Sequence, residues 1–339
     1  MITTQNISTL KTLLESSKNI VITAHKSPDG DSLGSSLGLY HYLKSKGIAS
    51  NIIFPDEVPE YLSWMHQSES VVVYEKEKEK AQKLISKMDL FIALDYNAWN
   101  RIGAIGDEQI ENKNCKKVMI DHHRDPNMEV DVMISDISAS STCELVYRAI
   151  QDMQGLDSID EHGAACMYCG IMTDTGSFRF SSCTPMTHRI IADLIEKGAN
   201  HVAIHSQISD RNTSRRLKLL GYMLNEKMEV LPEYNTVLIG INHDELTKYD
   251  SQKGDTEGFV NYGLSIQGIR MAAFVSEKKG EIRISFRSKG DVAVNELSGK
   301  YFNGGGHKNA AGGKGLTTVK ETIDKIRSVL PEYKDVLCG

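Results

Sequence analysis

The sequence contains no run of about 20 apolar residues, the length that a membrane-spanning helix requires. Residues 1–17 lack the basic start and apolar centre of a secretory signal peptide. We find no internal repeat and no low-complexity segment. These absences argue against a membrane protein and a secreted protein, so we expect a cytoplasmic protein with no membrane partner.

The cysteines also lack the regular spacing that is typical of a disulfide framework. The six cysteines are scattered along the chain, so we expect reduced thiols: Cys115, Cys143, Cys166, Cys169, Cys183 and Cys338. Cys166 and Cys169 form a CxxC pair, but no second pair accompanies it and the surrounding stretch is apolar and helical. Buried packing is therefore favoured over a zinc site or a redox role.

An excess of positive charge is missing as well. The chain has 39 basic and 45 acidic residues, a formal net charge of -6, which does not favour coating long nucleic acid. A short anionic substrate remains open, because metals and a local basic patch can bind it. With 339 residues, of which 40% are hydrophobic, the chain is long enough for two domains with separate cores.

Short apolar runs alternate with helical patterns in the first half. Strands are predicted at 19–24, 52–54, 71–74, 90–94, 118–120 and 132–134. Helices are predicted at 32–46, 75–87, 141–150 and 163–173. This alternation predicts an α/β fold with a mainly parallel sheet flanked by helices. In such sheets ligands gather at the carboxyl ends of the strands.

The second half follows a different pattern. A largely helical connector that is basic in its middle leads to predicted strands at 237–239, 269–275 and 281–287 and helices at 291–299 and 319–329. We therefore expect a smaller C-terminal α+β domain. The predicted limits are 1–186 for the first domain, 187–226 for the connector and 227–339 for the second domain.

Four segments rich in aspartate and histidine follow these predicted elements: 25–31 (HKSPDGD), Asp95, 121–123 (DHH) and 174–176 (DTG). Taken singly, an aspartate after a strand is usually a helix cap and Asp-Gly is usually a turn. Gathered at one rim, however, so many carboxylates and imidazoles would repel and desolvate each other unless cations neutralised them. A paired metal site is the simplest interpretation.

The spacing suggests how two ions could be shared. Asp29 and Asp31 would face the same way in a locally extended backbone, so each could face a different ion. Asp95 could bridge both ions with its two oxygens, and His122 and Asp174 would complete the ligands. A ligand set that combines imidazole nitrogens with carboxylate oxygens favours manganese. Zinc, cobalt, iron and magnesium are the alternatives. Two ions about 3.5–4 Å apart can hold a bridging water and clamp a phosphoryl group for in-line attack.

A second candidate site combines arginines with a glycine-rich segment: Arg283, Arg287, Gly304, Gly305, Gly306 and His307. The segment is too rich in glycine for a helix interior, and successive amides of such a loop can bind an anion. Arg287 offers a bidentate fork to a phosphate. A plain turn at the glycines and a solvated Arg283 are the structural alternatives.

Together these segments resemble the DHH phosphoesterases over almost the whole chain. The resemblance rests on 25–31, Asp95, 121–123 and 174–176 and, in the second half, on Phe286-Arg287 and 304–307, which resemble the C-terminal domain associated with that family. The chain is most similar to the branch of nano-RNases (oligoribonucleases) and 3′-phosphoadenosine 5′-phosphate phosphatases.

The resemblance implies a role for each matching residue. One divalent ion would be bound by His25, Asp29 and Asp95. A second would be bound by Asp31, Asp95, His122 and Asp174. His123 would not be a ligand but would contact the scissile phosphate or assist the leaving group, which makes it a catalytic candidate together with Asp95. The alternative for His123 is that it orients His122.

The implied function is that of a manganese-dependent phosphoesterase. We expect it to degrade short oligoribonucleotides to mononucleotides, with nucleotide bisphosphates as additional substrates. The alternatives are a hydrolase of linear or cyclic dinucleotides and, from another class, a non-catalytic nucleotide sensor. A family II pyrophosphatase is less favoured, because those enzymes carry a different C-terminal domain. A RecJ-like exonuclease is also less favoured, because this chain is acidic and short. No protein partner is evident, and a homodimer remains open.

Overall fold

A computed structural model describes residues 3–106, 115–252, 254–278 and 280–339. The chain forms two compact units, with the boundary between Arg211 and Asn212. This boundary falls inside the predicted connector, and the three predicted domain limits stay a prediction. No helix within the described ranges is both long enough and apolar enough to cross a membrane.

The first unit contains one six-stranded sheet. Its strands are β1 (Ile20–Thr23), β2 (Ser50–Phe54), β3 (Val72–Val73), β4 (Leu90–Leu94), β5 (Lys116–Asp121) and β6 (Val132–Ser135). They run parallel in the order β3-β2-β1-β4-β5-β6. The predicted parallel α/β fold is therefore confirmed, and its carboxyl edge is where the ligand-bearing segments begin.

Among the described residues of this unit, the α-helices that accompany the sheet are α1 (Thr4–Ser16), α2 (Gly30–Ser45), α3 (Lys78–Lys87), α4 (Thr142–Asp152), α5 (Glu161–Asp174), α6 (Pro185–Glu196) and α7 (His201–Ser209). Successive strand residues belong to different cores because side chains alternate between faces. Ile20 and Ile22 lie in the core that α2, α4 and α5 share, whereas Val21 lies in the core with Ala81 and Ile85 of α3. Helices therefore cover both faces.

The backbones of helices α2 and α5 approach each other closely because glycines lie where the two helices meet. A Cβ atom at Gly34 would lie 2.5 Å from the carbonyl oxygen of Cys166. A Cβ atom at Gly170 would collide with Sγ of Cys143 and lie 3.1 Å from Cα of Asp31. The crossing thus holds the first turn of α2 against α5, whose last residue is Asp174.

The second unit has a mixed sheet. Its strands are β7 (Met228–Leu231), β8 (Thr236–Ile241), β9 (Met271–Lys278), β10 (Glu281–Ser288), β11 (Gly305–His307) and β12 (Ala310–Lys314). Their order is β11-β12-β10-β9-β8-β7, and β8 pairs with β9 in parallel. The helices are α8 (Ser214–Tyr222), α9 (His243–Lys248), α10 (Phe259–Leu264), α11 (Val294–Phe302), α12 (Val319–Val329) and α13 (Lys334–Cys338). The α+β class is confirmed.

The glycine-rich segment, predicted as a loop, is instead an edge strand. In β11, Gly305 pairs with Gly312 and His307 pairs with Ala310. Gly306 has a φ of 137°, which disfavours a residue with a side chain. Glycine here permits a close approach of two backbones, a role that local composition alone does not distinguish from a loop.

Candidate metal centre

The six predicted metal ligands come together at the carboxyl edge of the first sheet and at the ends of two helices: His25, Asp29, Asp31, Asp95, His122 and Asp174. Their ligand atoms form two groups, and within each group all atoms lie within 4.8 Å of one another. The first group contains His25, Asp29 and Asp95, and the second contains Asp31, His122 and Asp174.

His25 is the centre of the first group. Its Nε2 lies 3.6 Å from Oδ2 of Asp29 and 3.3 Å from Oδ2 of Asp95. Its Nδ1 lies 2.8 Å from the carbonyl oxygen of Lys26, which can only accept a hydrogen bond. When the ring is neutral, as a metal ligand must be, its proton therefore lies on Nδ1 and the Nε2 lone pair faces the two carboxylates.

His122 is the centre of the second group. Its Nε2 lies 3.5 Å from Oδ2 of Asp174, 3.6 Å from Oδ1 of Asp95 and 3.9 Å from Oδ2 of Asp31. The side chain also forms a hydrogen bond with the backbone of Ala139. One imidazole nitrogen thus faces three carboxylates, an arrangement that a bound cation would stabilise.

Asp95 connects the two groups, because Oδ2 faces His25 while Oδ1 faces His122. It follows β4 directly and takes a left-handed backbone with a φ of 64°. Such a conformation costs a non-glycine residue about 1–3 kcal/mol and persists only when its surroundings enforce it. The buried hydroxyl of Thr142 donates to Oδ1 at 3.0 Å and helps to fix the carboxylate.

Asp29 caps α2 with one carboxylate oxygen and contributes the other to the first group. Its Oδ1 accepts from the amides of Asp31, at 3.1 Å, and Ser32, at 3.0 Å, and so caps α2. Its Oδ2 is left facing His25. The locally extended backbone considered for the two aspartates does not form, because Asp31 already lies in the first turn of α2.

Asp31 is held by the N-terminus of α4. The amide of Thr142 donates to Oδ2 at 2.7 Å and the amide of Cys143 donates to Oδ1 at 2.9 Å. A helix N-terminus offers unpaired amides and a positive dipole end, so it stabilises a buried carboxylate. Ser141 caps α4 by accepting from the amide of Glu144. The Ser-x-x-Glu spacing indicates a helix start at Ser141, but local sequence does not indicate that this helix start binds Asp31.

Carboxylate crowding dominates the electrostatics. Burial, reinforced by the charge on Asp95, raises the pKa of Asp31. Partial burial and the charge on Asp31 raise the pKa of Asp174 well above its usual range. Burial would also raise the pKa of Asp95, but its hydrogen bond with His25 and the charges on His25 and His123 hold it low. The centre therefore requires positive charge, as protons or as metal ions.

The donor set fits a pair of divalent ions. Each group offers one imidazole nitrogen and carboxylate oxygens, the mixture that suits first-row transition metals better than calcium. Asp121 is a further sign that the centre lacks positive charge, since its buried Oδ2 has no hydrogen-bond partner among the described residues.

His123 is oriented by a residue to which the sequence reasoning gave no role. Its Nδ1 lies 2.7 Å from Oδ1 of the fully buried Asp121 and 3.8 Å from Oδ1 of Asp95. Burial alone would lower the pKa of His123, but the hydrogen bond with Asp121 and the charges on Asp95 and Asp121 together outweigh it and raise that pKa. The two residues end β5 and begin the next loop, so the alternation of a strand already places them together.

In the second unit, the predicted phosphate ligands share a sheet region. Arg287 pairs in register with Ala310, which pairs in turn with His307, so their side chains project from the same face. The guanidinium of Arg287 donates to the carbonyl of Phe286 at 2.9 Å, and burial lowers its pKa. Arg283 is exposed and bonded to Glu281. All six predicted substrate ligands remain predictions.

Comparison with known proteins identifies the two halves. Residues 19–171 match the sequence model of the DHH family, N-terminal domain, and residues 237–334 match that of the DHHA1 domain. The chain belongs to the DHH family. The first match contains all the ligand-bearing segments except Asp174, and the second contains Arg287 and the 304–307 segment.

Individual relatives cover most of the chain. It is 29% identical over 296 residues to the bifunctional oligoribonuclease and PAP phosphatase NrnA of Bacillus subtilis, covering 86% of this chain and 88% of that protein. It is 25% identical to the cyclic-di-AMP phosphodiesterase GdpP of Geobacillus thermodenitrificans, covering 96% of this chain but only 49% of that protein.

A solved structure matches the complete fold. The crystal structure of an exopolyphosphatase-related protein from Bacteroides fragilis has a TM-score of 0.96 and 39% identity, covering 100% of this chain and 99% of that one. The family assignment thus rests on the sequence models, and the match to this structure supports the fold.

Proposed function

We propose that this protein is a metal-dependent phosphohydrolase that degrades short oligoribonucleotides to mononucleotides and also dephosphorylates 3′-phosphoadenosine 5′-phosphate. The similarity to NrnA along nearly the full length of both chains supports this choice. The observation that carries it is the carboxylate of Asp95, which faces His25 with one oxygen and His122 with the other.

The proposed cofactors are two divalent ions, with manganese favoured. His25, Asp29 and Asp95 would hold one, and Asp31, Asp95, His122 and Asp174 the other. Ions bound there would lower the pKa of a water molecule and neutralise the charge on a phosphoryl group. The protein's own contribution is positional, since Thr142 and the amides of α4 fix Asp95 and Asp31 before any ligand arrives.

His123 is the proposed proton donor. Asp121 accepts a hydrogen bond from Nδ1, so Nε2 is the nitrogen that we propose to serve a substrate. The pKa of the ring is raised in spite of its burial, which favours the protonated form. A protonated imidazole can hydrogen-bond a phosphate oxygen or protonate a leaving oxygen. Arg287, Gly304, Gly305, Gly306 and His307, with Arg283, are the proposed ligands of a substrate phosphate in the second unit.

A second candidate is the hydrolysis of linear or cyclic dinucleotides. The similarity to GdpP favours it, because that alignment covers 96% of this chain. The same centre suits both activities, since each requires attack on a phosphodiester or phosphomonoester phosphorus.

A substrate panel tests the proposal. Purified protein with Mn²⁺ is offered oligoribonucleotides from dinucleotides to about 24-mers, chosen to span the few-nucleotide sites of single-strand-binding domains, together with the bisphosphate, cyclic dinucleotides and pyrophosphate. We expect mononucleotides from the shortest RNAs and adenosine monophosphate from the bisphosphate, with Asp95→Asn inactive. Exclusive cleavage of cyclic dinucleotides would favour the second candidate. Tight binding without any turnover would indicate a sensor.

A further inference from the structure

Phe180 is an exposed aromatic residue in the loop that follows the proposed ligand Asp174. The residue is 46% exposed. Phe178, two residues earlier, instead packs inward, with its ring centroid 5.8 Å from that of Tyr168. The proposed metal chemistry does not use Phe180, and core packing does not account for it. An exposed aromatic ring is the surface on which proteins stack nucleobases.

The loop holds this ring through a strained backbone. Gly176, Ser177 and Phe178 take successive left-handed conformations, with φ values of 57°, 59° and 64°. Serine and phenylalanine rarely adopt that conformation, and such strain concentrates at functional sites. The turn is nevertheless firmly bonded. The amide of Phe178 donates to Oγ1 of Thr175 at 3.0 Å, and Nε of Arg179 donates to the carbonyl of Gly176 at 2.8 Å.

The strained turn places the ring of Phe180 over Gly176. A Cβ atom added at Gly176 would lie 2.5, 2.7 and 3.0 Å from three distal ring carbons, so a side chain there would displace the ring. Gly176 follows Asp174 by two residues, which span at most about 7 Å. The carboxylate of Asp174 in turn lies 3.5 Å from Nε2 of His122. The ring therefore packs against the segment that immediately follows the proposed ligand Asp174.

We propose that Phe180 is a stacking platform for the nucleobase next to the scissile phosphate. The inference rests on the proposed function in one respect, namely that the substrate is a nucleotide. Every nucleobase offers a π face on which Phe180 could stack. Binding would therefore require a base at this position but would not depend strongly on which base it is. A short substrate would gain affinity from this contact while its phosphate remains at the metals.

Three variants separate stacking from simple apolar contact. Phe180→Leu keeps an apolar side chain but removes the aromatic face, and Phe180→Trp keeps an aromatic face. Val202→Ala is the matched control, since Val202 is an exposed apolar residue, 63% accessible, on α7. Thermal unfolding of each variant verifies that the fold is intact.

The substrates are a diribonucleotide and two analogues that each lack one of its bases. We expect Phe180→Leu to raise the KM for the diribonucleotide roughly 5- to 150-fold, the range for loss of one stacked base, with little change in kcat. The KM for the analogue lacking the stacked base should be the same in Phe180→Leu and the wild type. Phe180→Trp should raise the KM for the diribonucleotide less than Phe180→Leu does, because it keeps an aromatic face, and Val202→Ala should behave like the wild type.

Binding provides a readout that does not require turnover. The dissociation constant of a diribonucleotide with a methylene group in place of the scissile oxygen is measured by calorimetry with Mn²⁺. If the wild type hydrolyses no short RNA, the proposed function fails, yet the dissociation constants still decide the role of Phe180. Equal affinity in the wild type and Phe180→Leu, or an equal loss for the dinucleotide and both abasic analogues, would overturn the stacking platform.

Discussion

Nδ1 of His123 lies 2.7 Å from Oδ1 of Asp121, whose carboxylate is fully buried at the end of β5. The hydrogen bond fixes the orientation of the imidazole and raises its pKa. A buried carboxylate paired with one histidine nitrogen fixes the direction of the other nitrogen and favours its protonated form.

Asp121→Asn tests this pair. We expect activity to fall about 10- to 100-fold, as is typical when a residue that orients an active-site group is replaced. If protonated His123 is the acid, activity is lost as pH rises through its pKa. Removing the Asp121 charge lowers that pKa, so the alkaline limb of the pH–rate profile should shift to lower pH. An unshifted alkaline limb would exclude His123 as that acid.

Thr142→Val removes the hydroxyl that donates to Asp95 but keeps the amide that donates to Asp31. We expect kcat to fall about 10- to 100-fold, since Asp95 loses a group that holds it in place. Thr142→Ser retains both donors and is the control, with activity near that of the wild type. Steady-state kinetics provides the measurement, and full activity in Thr142→Val would show that the hydroxyl is not needed to hold Asp95 in place.

Asp29 permits a separation of capping from metal binding, because one oxygen caps α2 and the other faces His25. Asp29→Asn keeps an oxygen acceptor for the cap, whereas Asp29→Ala does not. With metal removed, Asp29→Ala should be about 1 kcal/mol less stable than Asp29→Asn in urea unfolding. Both variants should bind Mn²⁺ more weakly than the wild type in calorimetry. Identical unfolding of the two variants would mean that the cap contributes nothing.

Gly170→Ala tests the short-range crossing of α2 and α5. The new methyl group would meet Sγ of Cys143 and Cα of Asp31, so we expect a loss of about 1–3 kcal/mol in the free energy of unfolding. Displacement of Asp31 should also weaken metal binding. Gly221→Ala in α8 is the control, since a Cβ atom there meets nothing within 4 Å and alanine favours a helix. An unchanged free energy of unfolding in Gly170→Ala would show that the helix crossing can accommodate a methyl group.

Local pattern was sufficient for the elements that carry the centre. The strand predicted at 90–94 coincides with β4, because all five of its residues are buried and no polar residue interrupts the run. Asp95 follows immediately, and the carboxyl ends of parallel strands bring it to His25 and His122.

Other features depended on contacts that local pattern does not record. Thr142 and Asp31 are 111 residues apart, so their hydrogen bond follows from the packing of α4 beside α2 rather than from nearby sequence. The edge strand β11 was likewise missed, because glycine composition indicates backbone freedom without indicating which backbone will approach. Helix α1 had no prediction, although Ile7, Leu10 and Leu14 bury one face at helical spacing.

Anomalous diffraction from crystals grown with Mn²⁺ tests the central claim most directly. We predict two manganese peaks in the first unit, one beside His25 and Asp29 and one beside His122 and Asp174, with Asp95 as a ligand of both. Peaks located elsewhere, or a single ion that leaves Asp95 with an unliganded oxygen, would contradict the proposed two-metal centre.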